Sequence, residues 1–321
     1  MPELPEVEVV RRGLAGHILG AVLERVQVVD GRSVWRHKPG PVVFERLLTG
    51  LRVADVARRG KYLWLLFEGN EEFALVIHLG MSGQVLLKAP ELPAEKHLKV
   101  LIDLAGATDE SGREAPLTLR FVDQRIFGGM FVSPLLPTRN AAGEPVPGAS
   151  ASALGLPLIP KAVAHIARDP LDPHFDFGQF RRTMLGTSTG IKKLLLDQSA
   201  ISGVGNIYAD EALWRARLHY AKPAKSIPAS TARELVDAAR TVMRDALAQG
   251  GTSFDALYVN VNGESGQLNI ALKRVEGSRR RVISQSDLAR QALTKRFDSP
   301  TCSAANCHRS GSRSLRGAVC A

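Results

Sequence analysis

The chain has 321 residues and 45% hydrophobic content, enough for two domains with cores of their own, and its 42 Lys and Arg against 32 Asp and Glu give a net charge of +10 and a pI near 9.8. That excess points to a polyanionic partner, nucleic acid first, rather than to an acidic or neutral one. No apolar run has the length to span a bilayer and the acidic first residues do not read as a signal peptide, so a cytoplasmic protein with no membrane partner is expected.

The chain opens MPELPEVEVVRRGL. Removal of Met1, usual ahead of a proline, leaves Pro2 with a free secondary amine. A terminal α-amino group has a pKa of roughly 8, so part of it is uncharged near neutral pH and able to attack an electrophilic carbon. The same residues also read as an ordinary helix start, with Pro5 in the first turn and Glu3, Glu6 and Glu8 complementing the dipole. After the helix VEVVRRGLAGHIL come the stretches AVLERVQVVD, LRVADVARRGKYLWLLF, EFALVIHLG, GQVLLKA, LKVLIDLA and LTLRFVD, short and β-branched or alternating between turn residues. They predict an antiparallel sandwich or barrel over residues 1–133. Residues 134–160, rich in Pro, Ala and Gly, read as a linker with a flexible insertion. Over 161–266, FDFGQFRRTML, GIKKLLLDQSA, NIYADEALWRARL and STARELVDAARTVMRDALAQGG carry apolar residues at helical spacing, the last closing on a glycine pair suited to a C-cap. The tail, 267–321, is dense in Arg and Ser without a period.

Several short stretches carry chemistry. Lys61, in RRGKYLWLL, is expected to project from the end of the sheet beside other cations, as a surface lysine or as a site cation. Met81 lies between glycines in HLGMSGQ, where a bulky side chain protrudes and can act as a wedge. Arg125 and Phe127 share one turn in FVDQRIFGG and offer a guanidinium for a base edge and a ring for stacking; a salt-bridged Arg and a buried Phe are the alternative. GVGN is a glycine turn feeding a helix whose first amides can bind a phosphate, with Asn206 and Lys192 adding a donor and a charge.

Taken in order, MPELPEVE, RRGKYL, HLGMSG, KHLKV, DQRIFGG, SGVGNIYADEALW and GGTSFDALYVNVNGESG closely resemble the formamidopyrimidine-DNA glycosylase family, from residue 1 to about Gly266. The resemblance implies an α+β multidomain protein: an N-terminal β-sandwich, then a helix-two-turn-helix domain, with double-stranded DNA carrying oxidised bases held by a monomer. It makes Pro2 the amine nucleophile, Glu3 the proton donor and Lys61 a second catalytic cation that also holds phosphate. It places His97, Arg125, Lys192 and Asn206 on DNA contacts, and Met81, Arg125 and Phe127 in the void left by the extruded nucleotide. Its activity would be that of a bifunctional glycosylase and abasic-site lyase for oxidised purines. The alternatives are an endonuclease VIII-type enzyme for oxidised pyrimidines and a non-catalytic damage-binding protein.

Two positions depart from the family pattern. Ser188 stands where many relatives have a phosphate-binding lysine. The family also ends in a zinc ribbon of two CxxC pairs whose hairpin carries an arginine used in the second elimination. The cysteines of this chain are Cys302, Cys307 and Cys320, all in the tail, and His308 is adjacent to Cys307. They do not supply four ligands at zinc-ribbon spacing, so no stoichiometric zinc and a slow δ-elimination are expected, with no cofactor for the chemistry itself. A shifted reading frame or a replacement basic module would each account for the tail.

Overall fold

The computed structural model describes residues 2–251 and 261–262. The chain divides into two units, Met1–Arg279 and Arg280–Ala321, and every described residue belongs to the first. The expectations for Cys302, Cys307, Cys320 and the tail, and for most of the GGTSFDALYVNVNGESG stretch, lie outside the described residues.

Helix α1, Leu4–Ile18, buries Leu4, Val7, Val10, Leu14 and Ile18, the three-and-four spacing of a one-sided helix. Seven residues form β1, Val22–Val28, and after an irregular turn comes the short helix α2, Pro41–Leu48, which drives Phe44 and Leu48 into the core. Then follow β2, Val53–Arg59; β3, Tyr62–Phe67; β4, Asn70–His78; β5, Gly83–Lys88; β6, Leu98–Ala105; β7, Leu117–Asp123; β8, Gly129–Pro137; and β9, Leu158–Pro160. They pair into a four-stranded sheet, β1-β6-β7-β5, and a five-stranded sheet, β2-β3-β4-β8-β9, antiparallel throughout. The inner faces of the two sheets close on Leu23, Leu63, Leu65, Ile77, Ile102, Phe121 and their neighbours.

Residues 134–160 are not a linker with a flexible insertion. The end of β8 and the whole of β9 lie inside that stretch and pair as Leu135↔Pro160 to Pro137↔Leu158. The Arg58 N–H donates to the Ala151 carbonyl and the Ser150 N–H to the Arg58 carbonyl, both at 2.8 Å, while Asp55 accepts the amides of Ala153 and Leu154. The reason is burial. Strand β3 reads YLWLLF, apolar on both faces; its second face, Trp64 and Leu66, joins Val76 and Phe131 in a second cluster that Ala149, Ile159, Val163 and Ile166 cover.

The helical part contains α3, Phe177–Leu185; α4, Ile191–Leu195; α5, Asn206–Arg215; and α6, Ala229–Ala248. Its core gathers Phe180, Met184, Ile191, Tyr208, Leu213, Leu235 and Met243, together with Leu4 from the start of α1. Helix α1 therefore begins in the helical core and ends in the sandwich core. Beyond α6 the glycine pair takes φ +73° and +100°, and the Gly251 N–H donates to the Ala246 carbonyl, the cap that the sequence predicts. Among the described residues no helix is long and apolar enough to cross a membrane.

Candidate active site

The site forms where the start of α1 meets the start of α5. The Leu4 N–H donates to the Gly203 carbonyl at 3.0 Å, and Pro2 and Glu3 are both buried. The Glu3 carboxylate lies across the first turn of α5. Its Oε2 accepts the Gly205 N–H at 2.6 Å and its Oε1 accepts the Ile207 N–H at 2.9 Å; the Tyr208 N–H reaches Oε2 at 3.4 Å. The sequence reading of GVGN does not foresee this acceptor: the helix start attracts negative charge, as its dipole and unpaired amides dictate, and the chain's own Glu3 carboxyl takes three of its amides, while Asn206 stays exposed at the same turn. The glycines make room for it: a Cβ at Gly205 would stand 2.3 Å from Glu3 Cδ, and one at Gly203 would stand 2.6 Å from Leu4 Cδ1.

Burial pushes the Glu3 carboxyl up, and the Lys61 charge and the α5 amides only partly oppose it, so its pKa stands at about 7. Glu3 is thus a carboxyl group that can carry a proton at neutral pH. Its own N–H donates to Glu6 Oε2 at 2.9 Å, and the Tyr208 hydroxyl donates to Glu6 Oε1 at 2.9 Å. Burial raises the Tyr208 hydroxyl far above its ordinary range, with the Glu6 charge adding to it, so it stays a donor.

Lys61 occupies the tight turn between β2 and β3 and is 9% exposed, not projecting. Its surroundings are anionic instead of cationic. Burial lowers its pKa, and the charges of Glu3 and Glu6 oppose that shift. The neighbouring arginines point elsewhere. Arg58 is buried and donates Nε to Glu8 Oε2 at 2.8 Å and Nη1 to Asp169 Oδ2 at 2.9 Å, and the Gly60 N–H also reaches Asp169 Oδ2, at 3.3 Å. The same turn is closed by Arg58 Nη1 on the Gly60 carbonyl at 3.2 Å. A buried ion cluster thereby anchors the peptide that carries Lys61.

The remaining sequence-predicted residues divide by location. Met81 and Phe127 are exposed large apolar side chains, 37% and 59% accessible, and Arg125 Nη1 lies 4.0 Å from Met81 Sδ. His97 is half-buried, and its carbonyl accepts the Asp123 N–H. Lys192 is buried and ion-paired with Asp210 at 2.8 Å, while Asn206 opens α5 with its side chain exposed, as is Ser188. Sequence reasoning missed Glu6, Tyr208, the Glu8–Arg58–Asp169 cluster and His78. The spacing of Glu6 three residues after Glu3 is a capping signature that could have singled it out. Nothing in the sequence marks the others. His78 closes β4, packs its ring 4.5 Å from that of Tyr62, and has no partner for Nδ1 among the described residues. Burial, with the Arg36 and Lys61 charges, pushes it down to about 4, so it is a neutral imidazole beside Lys61. No group of three or more His, Cys, Asp and Glu among the described residues is placed to hold a metal.

Comparison with known proteins decides the family. Residues 1–130 match the formamidopyrimidine-DNA glycosylase N-terminal domain and residues 166–256 the formamidopyrimidine-DNA glycosylase H2TH domain. Over 272 residues, 85% of this chain, it is 52% identical to the formamidopyrimidine-DNA glycosylase of Rhodococcus jostii, covering 84% of that protein. It is 53% identical to that of a Nocardioides strain, again over 85% of this chain and covering 83% of that protein. The chain belongs to the formamidopyrimidine-DNA glycosylase family. It is a DNA-repair glycosylase, and its fold matches that of the Lactococcus lactis enzyme solved with abasic-site DNA, with a TM-score of 0.63 and 27% identity over 83% of this chain and 84% of that one. A second structure of the Lactococcus enzyme, holding Fapy-dG DNA, matches with the same TM-score and coverage.

Proposed function

We propose that this glycosylase excises oxidised purines, 8-oxoguanine and formamidopyrimidines, from double-stranded DNA and then nicks the strand at the abasic site, with Pro2 as nucleophile. The observation that carries the proposal is the Glu3 carboxyl: buried, held on the α5 amides one residue from Pro2, and with a pKa at about 7. The Lactococcus relative bound to Fapy-dG DNA supports the same substrate class.

The damaged nucleotide must leave the stack, because a buried amine does not reach a sugar inside the duplex. Once Met1 is removed, the Pro2 lone pair forms a bond to C1′ while the bond from C1′ to the damaged base breaks with its electron pair, and the proton that the Pro2 nitrogen sheds neutralises the departing base. Protonated Glu3 then gives its proton to the ring oxygen O4′ as the C1′–O4′ bond opens. The product is an iminium between Pro2 and C1′, with a positive charge that a secondary amine does not lose by deprotonation. That charge acidifies C2′. Loss of a C2′ proton expels the 3′ phosphate and cleaves the strand by β-elimination. Lys61, buried beside Glu3 and Glu6, supplies positive charge where the sugar and its phosphates would sit. Met81, Arg125 and Phe127 would fill the vacated space in the duplex, with His97, Lys192 and Asn206 along the backbone path.

The test is a protein that retains one additional residue ahead of Pro2, assayed on duplexes carrying 8-oxoguanine, formamidopyrimidine or an oxidised pyrimidine. Base release and strand cleavage should be lost on every duplex, and the untagged protein should release the purine lesions faster. Normal cleavage with a blocked terminus would overturn the amine mechanism. Faster release of the pyrimidine would move the enzyme to the endonuclease VIII reading.

A further inference from the structure

Asp123, the last residue of β7, is fully buried and takes no part in the chemistry above. Its Oδ1 accepts the Ser82 hydroxyl at 2.5 Å and the Arg125 N–H at 3.1 Å, and its Oδ2 accepts the Gly128 N–H at 2.8 Å. Ser82 Oγ in turn accepts the Arg125 N–H at 3.0 Å, and the Asp123 N–H donates to the His97 carbonyl at 3.0 Å. One residue therefore ties together, through its carboxylate, the turn that carries Met81 and the turn that carries Arg125 and Phe127, and, through its backbone amide, the entry to β6 at His97.

The two turns also meet backbone to backbone. Gly80 has φ +62°, and a Cβ there would stand 2.3 Å from the Gly128 nitrogen and 2.4 Å from the Phe127 carbonyl carbon. Between the two amides that Asp123 holds lies Ile126, at φ +57°. A β-branched residue in the left-handed region is a backbone outlier that persists only where its surroundings impose it. Here the imposing bonds come from Asp123 on either side. The outcome is two large apolar side chains, Met81 and Phe127, displayed to solvent on turns clamped from within the protein.

We infer that Asp123, with Ser82, is the positioning residue of the duplex wedge: it holds Met81, Arg125 and Phe127 as one preassembled unit, so that DNA binding does not have to order two independent turns. The inference rests on the reading that these three side chains enter the duplex. Ordering them in advance removes a cost that association would otherwise carry. A carboxylate that merely closed the end of β7 would stabilise the fold without distinguishing one DNA substrate from another.

Strand cleavage at an abasic site separates the two cases, because duplex DNA has a void to fill and single-stranded DNA has none. In Asp123→Asn the side-chain nitrogen faces donors that need an acceptor. Its kcat/KM on the duplex abasic site should fall about tenfold or more, the loss of one hydrogen bond to a charged group, while the single-stranded value stays within about twofold. Ser82→Ala should shift the same ratio in the same direction by less, and it carries the test if Asp123→Asn does not fold. Phe127→Ala is the control for the underlying reading. A parallel fall on duplex and single strand in the folded Asp123 or Ser82 variant, with Phe127→Ala selective for duplex, overturns the inference alone. Equal loss on both substrates in Phe127→Ala removes the void-filling reading and the inference with it.

Discussion

Glu3 and Glu8 are five positions apart on one segment, both almost fully buried, and their pKa values move in opposite directions. Burial raises both carboxyls. At Glu8 hydrogen bonds from Arg11 and the charge of Arg58 outweigh it and hold the pKa at about 2, whereas at Glu3 the backbone amides of α5 and the more distant Lys61 leave it at about 7. Full positive charges in direct contact reverse the effect of desolvation; partial charges on amides do not. The difference divides labour. Glu8 is a permanent anion that fixes Arg58 and, through it, the turn bearing Lys61; Glu3 is a carboxyl that can hand over a proton near neutral pH.

The comparison breaks most visibly at Arg58. Replacing it by Met leaves Glu8 and Asp169 buried without their shared cation, and the loss expected on breaking such a cluster is about 3–5 kcal/mol of unfolding free energy. Denaturant melts at pH 7 measure it, and a loss within error of zero would show that the cluster does not support the turn.

A somewhat smaller effect sharpens the contrast through pH. The folded-state pKa of Glu3 is raised, so its favourable contribution belongs to the protonated form, is complete below pH 4.5 and is lost as pH rises through 7. Relative to wild type, Glu3→Gln should therefore gain about 3 kcal/mol of stability between pH 4.5 and 8, even as base excision falls by about 10²-fold or more. Glu8, with its pKa lowered, contributes stability that is present above pH 4.5 and lost as pH falls through 2. Glu8→Gln should accordingly lose its disadvantage toward acid. Parallel pH dependences in the two variants would contradict the division.

Most of the strands and five of the six α-helices among the described residues were legible because their apolar spacing is local: YLWLLF and STARELVDAARTVM declare their elements without help. The helix α2 escaped notice because eight residues hold too few turns to show a period. What stayed hidden depended on distant partners. Residues 134–160 look like a linker by composition, and only the need to cover Trp64 and Leu66 makes them part of a sheet. GVGN was readable as a turn and helix start, but its acceptor is Glu3, 202 positions away. Lys61 was expected among cations because Arg58 and Arg59 precede it; strand alternation and the Glu8–Asp169 pair send Arg58 elsewhere, and the fold brings Glu3 and Glu6 instead. Met81, Arg125 and Phe127 were individually apparent, whereas Asp123, which joins them, reads in the sequence as one more strand-end aspartate.

The most direct measurement is peptide mapping of the adduct formed when the protein, with Met1 removed, is incubated with lesion-containing duplex and reduced by borohydride. Reduction of the iminium should leave the sugar remnant on the N-terminal peptide, on the nitrogen of Pro2, and the yield should vanish in a protein that retains a residue ahead of Pro2. A remnant on Lys61, or undiminished trapping with the terminus extended, would contradict the assignment of Pro2 as the nucleophile.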